Sequence, residues 1–181
     1  MPALLWSAAA LLPSFFRLCL AARAIRWDEL KQMIRLAALA RVLPGLAQGR
    51  RLVVLDEGPL FALTWLQVFG AERLLRSAAY ERWIGRTVAS WAHAIDAVVL
   101  VDAPDPVLAQ RIRARVKPHM VKHQTDQQIS AFAATFRAAF DSVIPTLTRL
   151  NGTKQLTVRT DLETPQELAA RVLQAIAGVP S

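Results

Sequence analysis

Asp56 closes the run Arg51-Leu52-Val53-Val54-Leu55-Asp56, an apolar, β-branched stretch that ends abruptly in Glu57-Gly58-Pro59. A carboxylate at the C-terminal end of a buried parallel strand faces the crevice where open α/β sheets place their ligands. There it can orient Mg²⁺ through water, because that metal takes hard oxygen ligands and keeps part of its hydration shell. An Asp in this position also serves as a turn or cap residue, and the run alone leaves both readings open. The second group with chemical potential is Arg111, Arg113, Arg115, Lys117 and Lys122, with His119 and His123 and no acid between Arg111 and His123. Guanidinium forks match phosphate oxygens, and such a cluster makes a strong field for an anion. A solvated face with cations near a helix C-terminus is the equal alternative.

The elements that would position these groups follow from pattern. Continuous apolarity over Leu52–Leu55 and again over Ala97–Val101, which ends in Asp102, predicts two strands buried on both faces of a parallel sheet. A helix over about Ala71 to His93 separates them, which implies a βαβ crossover with Asp56 and Asp102 at one edge. Asp28 is placed to cap a helix reaching about Val42, its stripe traced by Leu30, Met33, Ile34 and Ala37, with Pro44-Gly45 as its stop. Asp105-Pro106 is a cap and first-turn pair for a helix to about Arg115. A polar loop over Val116–Gln124 follows. Thr125 with Gln128 forms a capping box for a long amphipathic helix bent near Pro145 and ended by Gly152. Gln155–Arg159 reads as a third strand, and Thr164-Pro165-Gln166-Glu167 opens the last helix. The fold class is therefore α/β.

Composition sets the outer bounds. A chain of 181 residues that is 54% hydrophobic fits one domain with a continuous core, 1–50 forming a helical N-terminal part and 51–177 the main body. The single cysteine, Cys19, allows neither a disulfide framework nor a cysteine-rich zinc site, and a reducing cytoplasm is the default. Lys and Arg outnumber Asp and Glu by 22 to 14, and the net charge of +8 attracts anions, with Arg-rich compositional bias as the bland explanation. Met1–Phe16 is apolar, but Pro13 and Arg17 cut it to about half of the ~20 residues that span a bilayer. Without a basic segment ahead of the apolar stretch it does not read as a signal peptide, and a buried helix is expected.

The order of these pieces resembles the P-loop nucleoside and nucleotide monophosphate kinases of the thymidylate and adenylate kinase type. The stretch Val98 to Arg115, VVLVDAPDPVLAQRIRAR, is similar to their fourth strand and following helix. A basic lid, a long helix, a strand and a last helix opening on a Thr-Pro turn then continue in the same order to Ala177. The resemblance covers roughly Arg51 to Ala177 and implies a three-layer parallel sheet, incomplete at the N-terminus. It implies ATP- and Mg²⁺-dependent phosphoryl transfer to a small-molecule acceptor, a nucleotide among the options. Asp56 would be the Walker B carboxylate holding Mg²⁺ through water, with Glu57 and Gly58 facing the acceptor and Glu57 orienting or deprotonating its hydroxyl. Arg111, Arg115 and Lys117 would close as a lid on the phosphates. Arg137 would be a further phosphate contact, and the loop Thr160 to Glu163, with Thr160 and Asp161, would lie beside the adenine.

The chain departs from that pattern in two places. Thymidylate kinases usually place Arg after the Walker B Asp, where this chain has Glu57-Gly58-Pro59. No G-x-x-x-x-G-K motif followed by Ser or Thr is present, and none of the seven glycines is spaced for a phosphate cradle. The expectation is that Met1 is an internal start, with a βα unit of roughly 30 or more residues upstream, and that the chain as written is inactive. A degenerate, noncatalytic member with a re-paired sheet is the alternative. A basic nucleic-acid-binding protein is a rival, but Trp6, Trp27, Trp65, Trp83 and Trp91 are scattered through apolar helices and read as core. A membrane-surface protein anchored by Met1–Ala22 is the other rival. Neither nucleic acid nor membrane is the expected partner, and the sequence is compatible with an oligomer.

Overall fold

The computed structural model describes residues 17–20, 23, 26–47, 53–56, 58–92 and 95–177. Helix α1 (Trp27–Ala47) is followed by α2 (Pro59–Phe69), the short α3 (Glu72–Leu75) and α4 (Ala78–Ala92). Strand β1 (Ala97–Asp102), α5 (Asp105–Ala114), α6 (Asp126–Asn151), β2 (Lys154–Arg159) and α7 (Pro165–Ala177) complete the order. No helix among the described residues is long and apolar enough to cross a membrane.

The signals that work locally are those made of caps. Thr125 accepts from the Gln128 amide, and the Gln128 side chain accepts in return from the Thr125 amide at 3.0 Å, so two of the orphan donors at the start of α6 are satisfied together. Thr164 and Glu167 form the same reciprocal pair ahead of α7. At the other end of α6, Gly152 takes a left-handed backbone, φ 64°, while its amide bonds the Thr148 carbonyl at 2.8 Å. That conformation is open to glycine and strained for residues with a Cβ.

Two helical expectations change. The first helix runs to Ala47, so Pro44 and Gly45 lie inside it and do not stop it. The stretch expected as one helix over 71–93 breaks at Arg76-Ser77, because Ser77 caps a new start: the Tyr80 amide donates to its hydroxyl oxygen at 3.1 Å. Helix α2 was not foreseen, although Gly58-Pro59 supplies an N-cap and a first-turn proline. Trp83 is buried as expected, but Trp27 is exposed, with the Lys31 ammonium 5.7 Å from its ring centroid.

The sheet carries the largest correction. It has two strands, β1 and β2, parallel and in register from Ala97 against Lys154 to Asp102 against Arg159. The expected strand at Leu52–Leu55 does not form over its described residues. Val53, Val54 and Leu55 are unpaired and exposed, Val54 at 79%, and Asp56 sits in a turn. Asp56 is therefore not a strand-end carboxylate beside Asp102. An apolar run is fit for burial in a sheet, but a strand exists only if a neighbour pairs with it. Here the chain turns at Asp56 and enters α2 at Pro59, which carries Leu63 and Leu66 into a helical core. Gly58 makes that turn possible by close approach, since a Cβ there would lie 2.9 Å from the Leu55 Cβ.

The core accordingly lies between helices, and the sheet sits at its margin. Met33, Leu36 and Ala37 of α1 meet Ala62, Leu63 and Leu66 of α2, Leu74 of α3, Tyr80, Trp83 and Val88 of α4, and Leu147 of α6. From the strands, Val98 and Val158 are the buried aliphatics, while Val101 is 61% exposed. The α/β class holds, and β1 and β2 are all of the sheet among the described residues.

Candidate functional site

The parallel pairing of β1 with β2 brings both C-terminal strand ends to one edge, and the ladder is extended there by the Thr160 amide donating to the Asp102 carbonyl at 3.0 Å. Arg137, projecting from α6, reaches this edge and is held on three sides. Its Nε and Nη2 donate to the two Asp102 oxygens at 3.0 and 3.1 Å, its Nη1 donates to Asp105 Oδ1 at 2.6 Å, and Nη2 also donates to the Ala103 carbonyl at 2.8 Å. The pairing raises the Arg137 pKa, Asp102 contributing first and Asp105 next. Asp105 is correspondingly held below the ordinary carboxylate range, chiefly by the hydrogen bond from Arg137. A fork engaged by two carboxylates is fixed in place, so Arg137 acts here as the tie between α6, α5 and β1, and the phosphate contact expected of it would need those bonds broken. Asp105 opens α5, and its carboxylate goes to Arg137 where a helix cap was expected.

The opposite lip is formed by the residues that follow β2. Arg159 donates from Nε and Nη2 to the two oxygens of Asp161, each at 2.9 Å, which lowers the Asp161 pKa, with Arg111 adding a weaker field. Arg111 comes from α5 and bonds Thr160 twice, through Nη1 to the hydroxyl and through Nη2 to the backbone carbonyl at 2.8 Å. Of the predicted site residues, Arg111, Arg137, Thr160 and Asp161 thus gather at one sheet edge, together with Asp102.

The others lie elsewhere. Arg115 and Lys117 are exposed just beyond α5, and Asp56 is exposed in the turn before α2. Glu57 lies outside the described residues. Arg159 was missed by sequence reading; an Arg two residues before an Asp at the end of a predicted strand was the available signal.

The carboxylates of this edge do not fit a Mg²⁺ site. Asp102 and Asp105 are taken by Arg137, Asp161 by Arg159, and Asp56 stands in a turn off the sheet. Among the described residues no group of three or more His, Cys, Asp or Glu is placed to hold a metal ion. What the edge offers is donors. Arg111 differs from its neighbours because its partners are a hydroxyl and a carbonyl, both neutral. A charged acceptor forms hydrogen bonds about twice as strong as neutral ones, so an entering anion can displace them. No protein-family model, curated protein or solved structure matches the chain.

Proposed function

We propose that the C-terminal edge of β1 and β2 receives the phosphate chain of a nucleotide, as part of an ATP-dependent phosphotransferase that acts on a small-molecule acceptor. The observation that carries the reading is Arg111: an exposed guanidinium at the end of two parallel strands, bonded to neutral acceptors of Thr160 while Arg137 and Arg159 are held by carboxylates. Open parallel sheets place ligands at this edge. Arg137 and Asp102 serve as the frame that fixes α5, and with it Arg111, against β1. Because the chain has no glycine-rich phosphate cradle, its own binding of Mg·ATP is weak, in the range of about a millimolar.

The position of Asp56 favours a second reading, in which the chain binds a nucleotide without catalysis, since a metal-orienting carboxylate is not set beside the phosphate edge. Calorimetric titration of Mg·ATP into the chain and into Arg111→Met tests the site that both readings share, and an assay of phosphate transfer separates the two. Binding that weakens about tenfold in Arg111→Met supports the edge as the phosphate site. Equal affinity of the two proteins rules it out. Phosphate transfer dependent on Asp56 selects the enzyme, and binding without transfer selects the noncatalytic protein.

A further inference from the structure

The loop between α5 and α6 combines three properties that the sheet-edge site does not use. It presents two aliphatic side chains to solvent, Val116 at 98% exposure and Met120 at 64%. It carries Arg115, Lys117, Lys122 and His123 with no acid between them. It is also built, with backbone bonds from Lys122 to the His119 carbonyl and from Gln124 to the Val121 carbonyl, both at 3.1 Å, and with Lys122 Nζ donating to the Arg115 carbonyl. At its base the His119 ring meets Phe132 edge-on at 5.7 Å, and Phe132 packs at a tilt against Phe136 and Phe69 at 4.9 and 6.3 Å.

A fixed loop that holds aliphatics outward, ringed by cations, is matched by a surface that is anionic outside and apolar just beneath. We propose that the loop from Arg115 to Gln124 docks the protein peripherally on an anionic phospholipid surface, Val116 and Met120 entering the acyl boundary while Arg115, Lys117 and Lys122 meet the headgroups. This is independent of the phosphate site at the sheet edge, and it concerns a different segment from the apolar N-terminus. A single-stranded nucleic acid shares the charge preference but is the poorer fit. Base stacking needs open ring faces, and here the aromatic rings are half-buried and turned on one another, while the exposed tip is aliphatic.

The test is flotation of the full chain with phosphatidylcholine vesicles, either pure or containing about 30% phosphatidylserine. Binding is expected with the anionic vesicles alone and should fall as salt is raised. Replacing Val116→Ser with Met120→Ser lowers partitioning about tenfold, with Mg·ATP titration unchanged. Lys117→Glu with Lys122→Glu lowers it about thirtyfold or more, and Lys117→Arg with Lys122→Arg retains it. Circular dichroism of each variant, matched to the parent chain, confirms the fold. Flotation that persists in both loop variants would assign membrane contact to another segment and overturn the proposal. So would equal binding to neutral vesicles, or capture of a single-stranded oligonucleotide with the same dependence on Val116 and Met120.

Discussion

The helical half and the sheet edge bury charge in opposite ways. In the helical half one carboxylate, Glu29, is completely buried and takes the Arg26 amide at 2.9 Å, the Arg26 guanidinium at 2.8 and 2.9 Å and the Ala71 amide at 2.6 Å. It joins the start of α1 to the start of α3, and Arg26 adds a bond to the Phe69 carbonyl. Burial pushes the Glu29 pKa up, but the hydrogen bonds from Arg26 and Ala71 outweigh it, and the net shift is downward. At the sheet edge Arg137 meets Asp102 and Asp105, and Arg159 meets Asp161, at a half-exposed surface over strands that bury little, while Arg111 bonds Thr160. The stability of this domain therefore rests on its helices, and the sheet serves as a polar frame.

The contrast is broken most directly by removing apolar volume from each half. Leu66→Ala, at a fully buried position of the helical core, is expected to cost about 3 kcal/mol. Val101→Thr on β1 should stay within about 0.5 kcal/mol. Urea unfolding of the two variants decides the matter, and a larger loss from Val101 would place the core in the sheet.

A smaller effect sharpens the electrostatic side. Glu29→Gln removes a charged acceptor from two amides and a guanidinium, for about 2–3 kcal/mol. Because the folded-state pKa is depressed, the unfolded chain binds the proton more tightly. The stability owed to Glu29 is present above the ordinary carboxylate range near pH 4 and is lost as pH falls through and below it. The Gln variant should show a flatter decline on the acid side in thermal unfolding from pH 6 to 3. An unchanged slope would remove Glu29 from the account. Tyr80, pushed up first by its burial and then by the negative charge of Glu29, stays protonated throughout that range.

A weaker effect than that of Glu29 belongs to the frame itself. Arg137→Met keeps the stem but releases Asp102 and Asp105, both about one-third exposed, so solvent softens the loss to about 1–2 kcal/mol. Hydrogen exchange should rise in α5 and at the β1 end and leave α1 and α2 unchanged. Exchange rising uniformly would mean that the edge is coupled to the helical core after all.

The sequence by itself determined what is decided within a few residues. The capping boxes at Thr125 and Thr164, the left-handed stop at Gly152 and the span of α5 need only neighbours in the chain, and each appears close to its expected place. The tertiary structure alone decided which partners distant segments would find. Leu52–Leu55 and Val98–Val101 look alike as sequence, yet β2 stands beside the second, while Val53–Leu55 lead through Gly58 into α2. Charge behaves likewise: the family resemblance implied Arg111 and Arg137 as phosphate ligands, and long-range contact gave Arg137 two carboxylates and Arg111 only Thr160. A cap is a local bond, whereas strand pairing and ion pairing belong to both partners, and one of them is always elsewhere in the chain.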